Sequence, residues 1–484
     1  MKKNYKMLNN NRTKIIATVG PASSEQSTLE DMIRNGCSVF RVNFSHGSHE
    51  AHAQSIKTIR AAATVCRKHV AILGDLQGPK IRIGAIVNDS FNIEPGQELI
   101  LDSSIDDEGG TPEGVSYVCD TLAQSCTPGR QLMLDDGRVQ LEVISVDGTR
   151  IKTKVIVGSK LSSRKGLNLK GGGLAEAALT EKDKNDIVFA KEHELDYLCV
   201  SFPASSKDMD DARKILQDID YAAFLIAKIE RAEVIQSQQS IDDIIIHSDG
   251  VMVARGDLAV EVGFEAVTLL QKQIIQRART LNKPVIVATQ MMESMIDSPV
   301  PTRAEVSDVA NAVFDYTDAV MLSAETAVGK FPIETIKAVY DVVVATEKNE
   351  ITQISKHRVE CEFEYVDESI AMAAMYLSNH FKAVKAIVCL TESGSTALWM
   401  SRIKTHLPMV AMSPHQTTLN RVALYKGVRP AHLSIYEGEE LMKNVMTFVR
   451  NVVDLKQGDY VAISYGDHVG IGGQTNTLKI LRVD

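Results

Sequence analysis

Lys14-Ile-Ile-Ala-Thr-Val19, Ser38-Val-Phe-Arg-Val-Asn43 and Val70-Ala-Ile-Leu-Gly-Asp75 are three short runs rich in β-branched residues, and each reads as a strand. Between the first two, Leu29, Met32 and Ile33 recur at helical spacing. Ser27 with Glu30 reads as a capping box for that helix and Gly36 as its stop. A longer helical stretch from about His49 to Arg67 leads to the third run. The order is βαβαβ, which requires parallel strands joined by right-handed crossovers.

Downstream, from about Gly78 to Gly173, the helical period is lost. Short alternating runs replace it: Gln97–Leu101, Gln131–Leu134, Val139–Ile144 and Thr153–Val157, with Asp136-Gly137 and Asp147-Gly148 as turns. This is an inserted all-β module, closing on Leu169-Lys-Gly-Gly-Gly173. Helix–strand alternation resumes at Thr180, an N-cap ahead of Glu181 and Asp183. Strands are then expected at Tyr197–Phe202, Phe224–Ile229, Gly250–Ala254, Pro284–Thr289 and Ala319–Ser323. Three strands before the module and five after it make eight βα units, the number of a closed (β/α)₈ TIM barrel. An open doubly wound sheet competes, but it usually has fewer strands and a Gly-rich first turn, and Thr18-Val-Gly-Pro-Ala22 is not G-x-G-x-x-G. Ile351 to Phe363 reads as a connector to a smaller α/β domain of regulatory size. Its strands are expected at Ala386–Leu390, Met409–Met412, Ala431–Ile435, Tyr460–Tyr465 and Leu478–Val483. The expected division is an extension at 1–12, the barrel at 13–77 and 178–347, the inserted β-domain at 78–177 and the C-terminal domain at 348–484.

Composition limits the function classes. At 484 residues the chain has room for about three domains. With 44% hydrophobic and 24% charged residues it is an ordinary globular sequence, not a disordered or fibrous one. A net charge of −9 speaks against nucleic-acid binding but leaves room for a local basic pocket. Seven cysteines without a C-x-x-C pair read as reduced thiols. No apolar run approaches the roughly 18 residues of a membrane span, and residues 1–14 lack a signal-peptide core. The expectation is a cytoplasmic protein with neither a membrane nor a nucleic-acid partner.

In a barrel the chemistry gathers at the C-terminal ends of the strands. Those ends carry Arg41, Asn43 and Ser45, then Asp75, Lys228 and Glu230, Arg255 and Asp257, Thr289, and Ser323 and Glu325. Glu230 and Asp257 suit a hard cation such as Mg²⁺ or Mn²⁺, which takes one or two carboxylates plus water and substrate oxygens. Lys228, Arg255 and Arg41 would repel one another unless an anion sat among them. Metal, Lys and Arg together suit phosphoryl transfer, which depends on positioning and charge neutralisation. The competing reading is an ion-pair ring at the barrel mouth.

Six blocks in order resemble the pyruvate kinase family: Arg41-Val-Asn-Phe-Ser-His-Gly47, Ile226-Ala-Lys-Ile-Glu230, Met252-Val-Ala-Arg-Gly-Asp-Leu258, Ala288-Thr-Gln-Met-Met-Glu-Ser294, Pro301-Thr-Arg-Ala-Glu305 and Met321-Leu-Ser-Ala-Glu-Thr326. The likeness covers about residues 13 to 484, and no Walker A motif is present. It implies Mg²⁺-dependent phosphoryl transfer from phosphoenolpyruvate to ADP, giving ATP and, after enolate protonation, pyruvate. By the family's pattern Glu230 and Asp257 hold the metal, Lys228 stabilises the transferring group and the enolate, and Arg41 clamps the phosphoryl. The Gly256 and Asp257 amides receive the carboxylate. Thr289 stands near the carbon to be protonated, with Ser323 and Glu325 as relay candidates, and His46 and Arg82 meet the nucleotide. The inserted domain is expected to be a lid hinged near Gly171-Gly-Gly173. A homotetramer is also implied.

Many relatives need K⁺ near groups matching Asn43, Ser45, Asp75 and Leu76, with a Glu where this chain has Lys80. A tethered ammonium can supply the charge that K⁺ would bring, so activity is expected without K⁺. Two lid-side departures are Ala175, where relatives carry Asp, and the Pro203–Lys207 segment, which lacks a basic match. Thr391, Ser393, Gly394, Ser395 and Thr396, between strand and helix, resemble the loop that holds the phosphate of a sugar-phosphate or nucleotide activator, although simple helix capping also accounts for them. The glycine-rich run 466–473 is a weaker expectation for closing over that effector. A Mg²⁺-dependent barrel lyase and a sugar-phosphate sensor on an inactive barrel are the other functional readings.

Overall fold

The computed structural model describes residues 10–484 except 120, 174–176, 354–356, 358–360, 435–438 and 468–472. Eight parallel strands form a closed barrel: β1 (Lys14–Thr18), β2 (Cys37–Asn43), β3 (Ala71–Asp75), β4 (Tyr197–Val200), β5 (Phe224–Ile229), β6 (Gly250–Ala254), β7 (Val285–Ala288) and β8 (Ala319–Leu322). Each lies beside its sequence neighbours, and β1 meets β8 to complete the ring. Every residue of β1, β3, β4, β6, β7 and β8 is buried. Strands covered on both faces read as continuous apolar runs, which is why these segments were legible without alternation.

By contact density the chain falls into two compact units, residues 1–75, 189–198 and 275–484 in one and residues 76–188 and 199–274 in the other. In the second unit the inserted segment forms a sheet of six strands, Leu167–Leu169, Gln131–Leu134, Val139–Asp147, Arg150–Val157, Glu98–Asp102 and Gly114–Val115 in spatial order. Leu99, Leu101, Leu132, Leu141, Ile151 and Val155 alternate into its core. The Asp147↔Arg150 pair closes a two-residue hairpin with Gly148 at φ 59°, as the Asp-Gly signal indicates. One helical turn, Leu122–Ser125, interrupts the expected all-β pattern.

In the first unit the C-terminal segment builds a five-stranded sheet from β9 (Val384–Leu390), β10 (Met409–Ser413), β11 (Val428–His432), β12 (Tyr460–Tyr465) and β13 (Thr477–Arg482). The spatial order is β11-β10-β9-β12-β13, parallel except for β13. The order therefore reverses at β9, creating a topological switch point at its carboxyl end.

Two local expectations are corrected. Ser27 lies inside the helix Gln26–Arg34, whose N-cap is Glu25, so Ser27 and Glu30 form no capping box. The chain enters that helix two residues earlier, and Glu30 instead pairs with Arg34 one turn on. The helix Glu439–Val452 was not anticipated, although Leu441, Val445 and Val449 recur at helical spacing and pack in the domain core. Thr180 does serve its helix as expected, with its Oγ1 accepting the Asp183 N–H at 3.2 Å. The helix His49–Cys66 likewise follows Ser48, whose side chain accepts from the Ala51 N–H. All seven cysteines are free thiols. Among the described residues no helix is long and apolar enough to cross a membrane.

Candidate active site

In the second unit the site grows from the ends of β5 and β6, which pair in register with Lys228 opposite Met252 and Ile229 opposite Val253. Glu230 follows β5 and is wholly buried. Its Oε1 accepts the Phe202 N–H at 2.7 Å, and its Oε2 lies 3.5 Å from the Lys228 ammonium. Lys228 Nζ also donates to Ser201 Oγ at 2.8 Å. A buried carboxylate is costly without a cation beside it, and Lys228 supplies one at ion-pair distance.

Asp257 is the third residue of the helix Arg255–Val262, which begins directly at the end of β6. The Gly256 and Asp257 amides thus fall in a first turn, where N–H groups lack intrahelical acceptors and the helix end favours negative charge. Lys80 Nζ donates to Asp257 Oδ1 at 2.9 Å. The backbone at Gly166 passes so close to this side chain that a Cβ there would stand 2.9 Å from Lys80 Cε. Lys80 and Lys228 each lie 5.9 Å from the centroid of the Phe202 ring. Two ammonium groups and two carboxylates are therefore organised around one aromatic side chain.

The donor set suits a divalent ion. Among the described residues no cluster of three or more His, Cys, Asp or Glu side chains could hold a metal. Two carboxylates at neighbouring strand ends are what Mg²⁺ uses when it keeps water and substrate oxygens as its other ligands.

The inserted domain meets this half of the barrel through the glycine run. Gly171 N–H donates to the Glu261 carbonyl at 2.9 Å, and Gly173 N–H to Glu233 Oε1 at 2.6 Å. Gly171, Gly172 and Gly173 all adopt positive φ. Glu233 is in turn paired with Arg231 at 2.6 Å. The buried side chain of Glu261 accepts the Ala232 N–H at 2.7 Å, and burial pushes its carboxyl up to about 7. Arg82 donates to the Arg164 carbonyl within the inserted domain.

In the first unit Arg41, on β2, is held by Asp75 at the end of β3. Its Nε and one terminal nitrogen reach Asp75 Oδ2 at 2.7 and 2.6 Å, and the other terminal nitrogen reaches Thr18 Oγ1 at 3.1 Å. Asn43 Oδ1 accepts the Ser45 N–H, and His46 is exposed in the same loop. After β7, Thr289 and Gln290 take φ of 73° and 55°, a region that a β-branched residue adopts only when its surroundings impose it. Glu325, almost fully buried, accepts the Met292 N–H at 3.2 Å and the Ser323 N–H at 2.7 Å. It thereby ties the loop after β7 to the loop after β8.

Thus Lys228 stands with Glu230, Lys80 with Asp257, Arg41 with Asp75, and Ser323 with Glu325. The sequence reading missed Ser201, Phe202 and Thr18, although Ser201 and Thr18 lie at strand ends and the rule that found the others reaches them. It did not find the Lys80–Asp257 pair, for which no local signal exists. Ala175 lies outside the described residues. The Pro203–Lys207 segment opens the helix Ser206–Asp218, with Asp208 Oδ2 accepting the Ala204 and Ser205 N–H groups. At the switch point beyond β9, Gly394 takes φ 93° and its N–H meets Thr391 Oγ1 at 2.9 Å. Ser393 and Ser395 hydroxyls are 2.9 Å apart, and Thr396 pairs with Thr475. Of the glycine-rich run after β12, residues 468–472 lie outside the described residues.

Two family models match the chain: pyruvate kinase, barrel domain, over residues 10–336, and pyruvate kinase, alpha/beta domain, over residues 368–481. Pyruvate kinase II of Salmonella typhimurium is 49% identical over 474 residues, covering 98% of this chain and 99% of its own. A pyruvate kinase of Haemophilus influenzae is 48% identical over 479 residues, covering 98% and 99%. A crystal structure of a pyruvate kinase from Cryptosporidium parvum superposes with a TM-score of 0.90 at 32% identity, covering 98% of this chain and 96% of that one.

Proposed function

The chain belongs to the pyruvate kinase family, the phosphotransferases of glycolysis, and on that premise we propose how its own residues carry the reaction. The family's substrates are phosphoenolpyruvate and ADP. Glu230 and Asp257 hold the divalent ion, Mg²⁺ or Mn²⁺, which when bound supplies charge neutralisation for the phosphoryl oxygens. The single observation that carries this reading is the pair of ammonium–carboxylate contacts, Lys228 with Glu230 and Lys80 with Asp257, at the ends of adjacent strands.

Lys228 neutralises the transferring phosphoryl and then the enolate oxygen, a role that its hydrogen bond to Ser201 keeps oriented. Arg41 clamps the phosphoryl group, with Asp75 fixing the plane of its guanidinium. The Gly256 and Asp257 amides receive the substrate carboxylate. Thr289 stands at the carbon that takes the proton. A hydroxyl is too weak an acid to act alone, so Ser323 and Glu325 complete a path through water. His46 and Arg82 contact the nucleotide. The inserted domain, residues 78–177, closes over the barrel (13–77 and 178–347) and excludes water. The glycine run at 171–173 serves as its hinge.

Lys80 supplies the positive charge that K⁺ brings to other members, so turnover proceeds without K⁺. The C-terminal domain, 348–484, binds a phosphorylated sugar or nucleotide at Thr391, Ser393, Gly394, Ser395 and Thr396. That loop leaves β9 at the switch point, where sheets of this kind bind ligands. The active assembly is a cytoplasmic homotetramer.

Pyruvate formation from phosphoenolpyruvate, assayed with and without ADP and Mg²⁺, tests the reaction, with both expected to be indispensable. Glu230→Gln is expected to lower kcat on the order of a thousandfold. A near-normal rate in that variant rejects the metal assignment.

A further inference from the structure

An open cavity of about 620 Å³ lies within the first compact unit, beside the amino ends of β3 and β4 and so away from the carboxyl ends that carry the candidate site. One wall is the end of the helix His49–Cys66 with the turn that follows it. A second is the segment before β4, and a third is the helix Gln416–Val422 of the C-terminal domain. The volume suits a metabolite rather than a lone ion.

The acid at its base is already committed. Asp196 Oδ2 accepts the Ile72 N–H at 2.8 Å and an Arg60 N–H at 3.1 Å, while Oδ1 accepts from Asn420 at 3.0 Å. Gln416 Nε2 donates to Asn420 Oδ1 at 2.7 Å and to His69 Nδ1 at 3.0 Å, which leaves the proton of a neutral His69 on Nε2. Burial and the neighbouring His432 hold that imidazole below its usual range. The cations are not committed. Among the described residues neither Arg67 nor Lys68 makes an ion pair with a carboxylate. Lys68 is half-buried, and its strongest charged neighbour is another cation, Arg429. Lys14, fully buried, lies close enough to feel both. Like charges held together in a poorly solvated place are relieved by an anion, and here Asp196 is spent on other partners while neither Arg67 nor Lys68 pairs with the Glu194 carboxylate that also lines the cavity.

We propose that this cavity binds a small phosphorylated, hydroxyl-bearing metabolite, its phosphate neutralised by Lys68 and Arg67. Two uncompensated cations match a phosphate dianion. Gln416 Oε1 and Glu194 accept from its hydroxyls at the other side. The site is distinct from the Thr391–Thr396 loop, but the two share a helix. Thr418 Oγ1 donates to the Glu392 carbonyl at 2.5 Å, and the missing Cβ of Gly394 would stand 3.0 Å from Val422. Occupancy of the cavity therefore changes affinity at the loop, and the reverse follows by the same factor. Only this coupling rests on the effector reading of the loop given above.

Calorimetric titration of the whole protein with fructose 6-phosphate, fructose and succinate tests the site without turnover. Saturable binding of fructose 6-phosphate is expected to survive Ser395→Asp, which repels anions from the loop. It is expected to weaken at least tenfold in Lys68→Met and in Arg67→Glu, with fructose and succinate silent. Arg67 is exposed, so its variant decides the matter if Lys68→Met does not fold. Binding abolished by Ser395→Asp and untouched by the cavity variants would overturn the proposal. So would succinate binding as tightly as the phosphate ester. Either result leaves the catalytic assignment standing, because no step of turnover is read.

Discussion

Lys80 shows how much one side chain contributes to this site. Its ammonium is 2.9 Å from Asp257, so the same group proposed to replace K⁺ also neutralises a carboxylate proposed for the divalent ion. Reversing its charge places two carboxylates where one ammonium balanced one. Lys80→Glu is therefore expected to lose at least tenfold in kcat in Tris or choline buffer and to recover it on adding K⁺. Equal rates in both buffers remove the surrogate role. Wild-type activity that collapses without K⁺ does the same. Thr289 is the second residue with a separable effect, because Thr289→Val keeps the β-branched shape that the surroundings already hold at φ 73° and replaces only the hydroxyl. Solvent-proton incorporation into pyruvate is expected to fall more than phosphoryl transfer to ADP. An equal loss in both would assign Thr289 to binding instead.

At the scale of elements, the glycine run at 171–173 is bracketed by the loop after β5 and the helix after β6. Gly173 is held by Glu233, and Gly171 by the Glu261 backbone. Glu261 itself is buried beside Arg231, Glu233 and Glu230, and its carboxyl is raised to about 7 from an ordinary 4.5. The folded state thus holds a proton between those values that the unfolded chain releases. Its contribution to stability is present below pH 4.5 and is lost as pH rises toward 7. Glu261→Gln keeps an acceptor for the Ala232 N–H and has no charge to bury. It is expected to be more stable at pH 7.5 by about 2–3 kcal/mol and to flatten the dependence between pH 5 and 7. Urea midpoints across that range measure both, and an unchanged slope would place the titrating group elsewhere. The helix Glu439–Val452 shows the opposite lesson. Its stripe of Leu441, Val445 and Val449 is legible at helical spacing between the strands expected at Ala431–Ile435 and Tyr460–Tyr465.

Within the first compact unit, the C-terminal sheet is joined to the barrel strands by buried charge. Arg402 and Asp318 are both almost wholly inaccessible, with Arg402 reaching Asp318 through both terminal nitrogens, one of them at 2.9 Å. Lys426 N–H donates to the same carboxylate at 2.9 Å. The Tyr316 ring lies 4.4 Å from the Arg279 guanidinium and 4.7 Å from Lys426. A cation removed from such a pair strands its partner in low dielectric. Arg402→Met is expected to cost about 3–5 kcal/mol, read as a lower denaturant midpoint, while Asp318→Asn with Arg402→Met together recovers part of the loss. Additive losses in the double variant would show the two charges to be independent.

Strand number, strand order and the polar residues that end each strand were legible in the sequence alone. Burial on both faces writes itself as continuous apolar runs, and the change to Arg41, Glu230, Asp257 or Thr289 marks where a run meets the mouth. These are properties of a few neighbouring residues. Which charge meets which was decided by tertiary structure. Lys80 and Asp257 are 177 residues apart, and Arg402, at the end of the helix Ser395–Ser401, is 84 residues from Asp318, which precedes β8. No local pattern selects such partners. They are chosen when the closed ring of strands and the packing of the second sheet bring each cation to the one carboxylate within reach, where low dielectric makes a wrong pairing too costly to persist.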